Sequence, residues 1–157
     1  MFEKRVEDSL TEQTYLVMHR HINGYGRLFG GQLLAWIDEL AGIVAKRHSE
    51  SEITTACIDQ LNFKHAVMLN DTLVMIGRIT YVGRSSMEVR IDSYVEDLNG
   101  MRRMINRAYV VMVAIDVKTG KAKPVPGLIV ETESQKAEWK GGIRRTELRK
   151  QRKLEGF

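Results

Sequence analysis

The sequence is poor in residues on which several kinds of chemistry depend. Its 157 residues include one cysteine and two prolines. With a single thiol, Cys57, no intrachain disulfide can form, so a reducing, cytoplasmic setting is expected and Cys57 is read as a small buried strand residue. No run of about eighteen apolar residues occurs, so no membrane span is expected. The opening MFEKRVEDSL lacks the apolar segment of a secretory signal. The four histidines, His19, His21, His48 and His65, are not spaced as a helical metal pair and have no cysteine cluster beside them. They are read as surface or strand residues, and no metal is expected. No serine stands in a G-x-S-x-G elbow and no cysteine–histidine pair is evident, which leaves a covalent serine or cysteine mechanism without support.

What is present fits one soluble globular domain: 43% of residues are hydrophobic and 28% charged. The net charge of +4 favours anionic partners without naming one. Much of the excess lies in the tail KGGIRRTELRKQRKLEGF. That tail reads as a solvated, frayed terminal helix. Nucleic-acid binding is the sharper alternative, but the tail lacks interleaved aromatics and no reader motif occurs elsewhere.

Along the chain, residues 14–22 suit a strand. Leu33, Leu34, Ile37, Leu40, Ala41 and Val44 recur at helical spacing and predict a helix over 30–48. Apolar and polar residues then alternate in ITTACIDQLNF, DTLVMIGRITYV, SMEVRIDSYVED and MINRAYVVMVAIDV, a meander of four strands. VGRSS and LNG are hairpin connections. The sheet should stop beyond Pro124 and Pro126, since proline donates no ladder hydrogen bond. Residues 131–139 and 144–155 are expected to form two short helices. The class is α+β, a curved antiparallel sheet wrapped round one long helix. Trp36 and Ile43 lie off the main apolar stripe, so a subunit contact, first of all a dimer, is expected to cover them.

The stretch NGYGRLFGG poses the question of function. It fails the dinucleotide fingerprint because Phe29 stands at the third glycine position, and it fails the P-loop because Gly31 is followed by Gln32 rather than lysine. What remains is a helix N-terminus at Gly30 and Gly31, with free amides and the positive end of a dipole. It could be simple close packing or an oxyanion hole. Asp38 borders the apolar stripe and is the candidate base or nucleophile, whereas Glu39 turns to the polar side. Gly31 and Asp38 are about two turns apart, roughly 10 Å along the axis. A base must come within about 3 Å of the atom it serves. One helix cannot offer both groups to one carbonyl, so an active site here should be shared between two copies. VGRSS could cradle a phosphate or be an ordinary turn.

Taken together, NGYGRLFGGQLLAWIDELAG, QLNFK and VGRSS resemble the hot-dog-fold acyl-CoA thioesterases, in particular the cytosolic acyl-CoA hydrolase family with its small bacterial members. The similarity runs from about residue 12 to 126, leaving the tail uncovered. It implies a hot-dog domain over 1–130, followed by a basic tail over 131–157. It implies a homodimer as the minimum unit and a homohexamer, as a trimer of dimers. By the same resemblance Asp38, Asn23, Gly31 and Thr55 are the catalytic residues, while Gly30, Phe63, Lys64, Gly83, Arg84, Ser85 and Ser86 bind acyl-CoA. The family's usual proline after NFxK is His65 here. The implied reaction is hydrolysis of acyl-CoA to a carboxylic acid and coenzyme A, with no cofactor beyond the coenzyme A of the substrate. The alternatives are another hot-dog enzyme such as a hydratase, or an acyl-CoA-sensing or nucleic-acid-binding module.

Overall fold

The computed structural model describes residues 2–157. A short strand β1 (Glu3–Arg5) and a single turn of helix α1 (Val6–Ser9) lead into β2 (Thr11–Leu16). The long helix α2 (Gly30–Ser49) follows, then β3 (Glu52–Asp59), β4 (Thr72–Val82), β5 (Ser86–Glu96) and β6 (Arg102–Ile115). The chain closes with β7 (Gly127–Ile129) and a second long helix, α3 (Glu133–Glu155). The main sheet is antiparallel with strand order β2-β4-β5-β6-β3, and β1 and β7 form a separate parallel pair. The expected α+β hot-dog architecture is present: a curved sheet whose inner face packs on α2.

The central apolar stripe of α2 is the reason the sheet curls. Ile37, Leu40, Ala41 and Val44 are wholly buried against Leu73, Met75, Ile79, Val89, Ile91, Val110 and Met112 of the inner sheet face. Period 3.6 on one side meets period 2 on the other, and both apolar faces leave water. The helix ends where Glu50 turns left-handed at φ 53°, its amide donating to Lys46 O. Lys46 and Arg47 in the last turn suit the negative pole of the dipole.

Several expectations need correction. The first strand stops at Leu16, and His19–His21 is a 3-10 turn. The four later strands are not a simple meander: β4, β5 and β6 follow one another, but β3 pairs with β6 at the far edge. The twelve residues between β3 and β4 carry the chain back across the sheet, and Gln60, at φ 45°, begins that turn. Trp36 is buried within its own copy, stacked on Tyr15 at 4.2 Å and edge-on to His21 at 4.8 Å, so no second subunit is needed to cover it. Cys57 is only half-buried, because β3 is an edge strand.

The tail is one continuous helix rather than two. Thr132 caps it, its hydroxyl accepting from the Gln135 amide. Gly141 and Gly142 do not break it. A Cβ on Gly142 would collide with the Tyr81 side chain, so this glycine marks where α3 lies closest to the sheet. Nor is the basic face simply solvated. Glu88 on the outer sheet face, with its side chain 1% exposed, receives Arg145 and Arg149 and the Thr80 hydroxyl. Asp59 receives Arg149 and Arg152, while Glu138 of α3 reaches Arg78 and Arg90. Burying these carboxylates costs solvation that the close arginines offset, which ties α3 to this face.

His48 is wholly buried at the end of α2, not at the surface. Its Nε2–H donates to Pro126 O at 2.8 Å, and Nδ1 has no partner among the described residues. Burial pulls its pKa below the ordinary 6.5; the Pro126 bond opposes this, Lys4 adds to it and Asp8 opposes it. The unfolded chain therefore binds this proton more readily than the folded one. Stability should be full above about pH 6.5 and decline as pH falls from there through the lower folded pKa. Urea midpoints at pH 7.5 and 5.5 check this: His48→Gln should lose part of the difference between them.

Candidate active site

The glycine-rich loop is held by one asparagine. Asn23 Oδ1 accepts from the Tyr25 amide at 2.9 Å and the Arg27 amide at 3.3 Å. Its backbone closes the same turn, with Asn23 N on Arg27 O and Gly26 N on Asn23 O. Both side-chain contacts are donors, which fixes the amide orientation, and the Nδ2 hydrogens meet no acceptor among the described residues. Asn23 is exposed, so that donor faces outward.

The loop delivers the chain to the start of α2. Phe29 is the N-cap residue and makes no side-chain cap, while the Gln32 and Leu33 amides donate to Phe29 O. The amides of Gly30 and Gly31 meet no acceptor among the described residues. Two half-exposed rings flank them. A Cβ on Gly30 would lie 3.2 Å from the Phe63 ring, and one on Gly31 would run into the Phe29 ring. Glycine at these positions lets an aromatic ring lie against the helix start. Asn23, Gly30, Phe63 and Lys64 line one cavity of about 390 Å³. Its apolar walls are Leu28, Leu33, Val67 and Ile105.

Asp38 and Thr55 form a second cluster. The Thr55 hydroxyl, on edge strand β3, donates to Asp38 Oδ1 at 2.6 Å. It also lies 3.5 Å from Met112 Sδ. Asp38 Oδ2 has no hydrogen-bond partner among the described residues. Asp38 is half-buried and Thr55 exposed. Neither lines the Asn23 cavity of the same copy, as two turns of helix separate them from it.

The Gly83–Ser86 turn is a third place. Gly83 N donates to Ser86 O, and the turn is braced from behind by Ala114 N on Ser85 O and Val125 N on Arg84 O. Arg84 is exposed. The expected site residues thus fall into three groups in one copy. Sequence reading missed Arg27, His65 and Ile105 as cavity residues; His65 stood out only where the motif usually has proline. No group of metal-binding side chains occurs among the described residues. No helix among them is long and apolar enough to cross a membrane.

Comparison with known proteins bears on the whole chain. Residues 25–101 match the family model described as the thioesterase superfamily. Over 148 residues the chain is 34% identical to an uncharacterized acyl-CoA thioester hydrolase of Bacillus subtilis, taking in 94% of this chain and 86% of that one. A hexameric acyl-CoA thioesterase, solved in apo form, is similar with a TM-score of 0.91 and 38% identity, covering 97% of each chain. The acyl-CoA hydrolase of Staphylococcus aureus, solved with butyryl coenzyme A, coenzyme A and coenzyme A disulfide, gives a TM-score of 0.91 at 32% identity. That match covers 98% of this chain and 93% of the other. Further structures of the Staphylococcus aureus hydrolase carry alanine in place of an asparagine, an aspartate and a threonine. Those three positions follow one another at intervals of fifteen and seventeen residues. Asn23, Asp38 and Thr55 are spaced by the same intervals.

Proposed function

This chain belongs to the thioesterase superfamily, and on that premise we propose that it is an acyl-CoA hydrolase whose active site is shared between two copies. The reaction is R–CO–S–CoA + H₂O → R–COOH + CoA–SH. The observation that carries this reading is the division of one set of chemistry over a single helix: free amides at Gly30 and Gly31, and a hydroxyl-bound carboxylate two turns further on. Two such helices packed antiparallel across a two-fold would set Asp38 of one copy against the helix start of the other. The exposed edge of β3 and the exposed Leu34 on α2 provide a surface for that contact. The matched spacing of the asparagine, aspartate and threonine in the Staphylococcus aureus hydrolase supports the choice of residues.

Asp38 acts as general base. Thr55 holds Oδ1, and Oδ2 takes a proton from the attacking water. The Nδ2 donor of Asn23 orients the thioester or the water. The Gly31 amide, aided by the helix dipole, stabilises the tetrahedral oxyanion, and one such donor is worth about 3–4 kcal/mol. The acyl chain lies along Leu28, Leu33, Val67 and Ile105. Gly30, Phe63, Lys64 and the Gly83–Ser86 turn with Arg84 hold the coenzyme A portion. The scheme uses no metal and no cofactor besides the substrate's own coenzyme A. The assembly is a trimer of dimers working in the cytoplasm, a reading supported in its oligomeric part by the hexameric relative.

A thiol-release assay over acyl-CoAs from acetyl to palmitoyl tests the activity. Release of one thiol per thioester consumed is expected. Saturable binding without thiol release would instead make the chain a sensing module, and hydration of crotonyl-CoA without thiol release would make it a hydratase.

A further inference from the structure

Phe63, Lys64, His65 and Ala66, in the segment between β3 and β4, make one wall of the cavity that holds Asn23 and Gly30. This wall has little to hold it. Among the described residues, the one hydrogen bond made by residues 61–66 is that of Asn106 Nδ2, which donates to Asn62 O at 2.7 Å. Leu61 adds an apolar contact with the core. Asn106 lies on the inner face of β6 and is 3% exposed. Ser93 faces it on β5 and Met75 faces Ser93 on β4, while the next inner row is Gly77, Ile91 and Ala108. In that apolar setting Asn106 Oδ1 and Ser93 Oγ have no partner among the described residues. A buried amide with an unmet acceptor costs solvation that a leucine or valine would not. Packing therefore gives no reason for an asparagine here, and the bond to Asn62 does.

The strand is shaped to make that bond. Ser93 faces Asn106 but Tyr94 faces Met104, so Ile105 is an extra residue in β6, a bulge. The bulge lets two neighbours both turn inward: Ile105 lines the cavity and Asn106 reaches the loop. A carbonyl held in place fixes its peptide plane, here the bond from Asn62 to Phe63, and with it the direction in which Phe63 leaves. The Phe63 ring lies against the start of α2, where a Cβ on Gly30 would come within 3.2 Å of it. We propose that Asn106 is a positioning residue, which through Asn62 O holds residues 63–66 against the helix start in the place from which they bind substrate. The proposal rests on the acyl-CoA reading given above. Without the bond the wall would have to be ordered at each binding event, which weakens binding and leaves the chemistry at Asp38 alone.

Three variants test this. Asn106→Leu keeps the branching of the side chain and removes both the donor and the unmet acceptor, so the urea midpoint should hold or rise. Asn106→Thr is too short to reach Asn62 O and carries the test if the leucine protein does not fold. Asn106→Gln keeps the donor, and a cavity of about 240 Å³ that Asn62 and Asn106 line has room for its extra methylene. In the leucine and threonine proteins KM for acyl-CoA and the calorimetric Kd for coenzyme A should rise about five- to tenfold, with kcat within about twofold. The endoprotease Lys-C should cleave after Lys64 about tenfold faster in both. The glutamine protein should return towards the unmodified values. Unchanged KM, Kd and cleavage in the leucine and threonine proteins would overturn the proposal. So would changes that follow the urea midpoint across all three variants, which would make Asn106 a packing residue. An unmodified protein that neither releases thiol nor binds coenzyme A would count against the hydrolase reading, and the cleavage rates would then score the tether alone.

Discussion

Replacing Asp38 by asparagine is expected to lower kcat for thioester hydrolysis by about a hundred- to ten-thousand-fold, the usual contribution of a positioned general base. KM for acyl-CoA should move little, because the base acts on water and the coenzyme A is held elsewhere. The substitution is nearly isosteric. Asparagine still offers an oxygen to the Thr55 hydroxyl, which now donates to Asp38 Oδ1 at 2.6 Å. What is lost is the second carboxylate oxygen as a proton acceptor. Since Asp38 is only half-buried, the fold should keep its stability within about 0.5 kcal/mol. Thiol release under saturating substrate measures the first effect and a denaturant midpoint the second. Undiminished turnover in a stable Asp38→Asn protein would remove Asp38 from the chemistry.

The second large effect concerns the sharing of the site. Asn23→Ala and Asp38→Asn proteins should each be nearly inactive, yet mixing them with exchange of subunits should restore activity. In a mixed dimer one site draws Asn23 and the helix start from the Asp38→Asn copy and draws Asp38 and Thr55 from the Asn23→Ala copy. That site is intact, and the other carries both defects. Random pairing makes about half of the dimers mixed, each with one working site of two, so activity should return to about a quarter of the unmodified value. Coexpression with two affinity tags isolates the mixed species. A site contained in one copy would show no restoration at all. The expectation follows from distance: roughly 10 Å of helix separates Gly31 from Asp38, which is too far for both to act on one carbonyl within one chain.

Much of the fold could be read along the chain because its signals are local. The helical recurrence from Leu33 to Val44 marked α2 to within a residue, and the alternation in β4, β5 and β6 marked those strands almost as closely. The glycine run pointed to a helix start with open amides, and its missing lysine excluded a nucleotide loop. Other features depended on partners far away in sequence. Alternation makes Glu52–Asp59 a strand but does not say which strand it joins, so β3 was placed beside β4 rather than β6. Two short helices over 131–139 and 144–155 are in fact one, α3, which runs through Gly141 and Gly142, the latter set against the Tyr81 side chain. Trp36 looked stranded off the stripe until Tyr15 and His21 covered it.

The sequence by itself determined the residue chemistry and its order: one long amphipathic helix preceded by glycines, a carboxylate two turns along it, no intrachain disulfide and no metal-ligand spacing. Periodicity and motif spacing act over a few residues, and a linear reading captures them. Only the tertiary structure decided which groups meet. It brought Thr55 onto Asp38 across seventeen positions, spent Asn23 Oδ1 on its own loop, and placed Asn23 with Gly30, Phe63 and Lys64 round one cavity. Those pairings arise from burial of the α2 stripe against the curled sheet. That burial sets the distances between segments far apart in the chain, and hydrogen bonds and charge interactions act only over such distances.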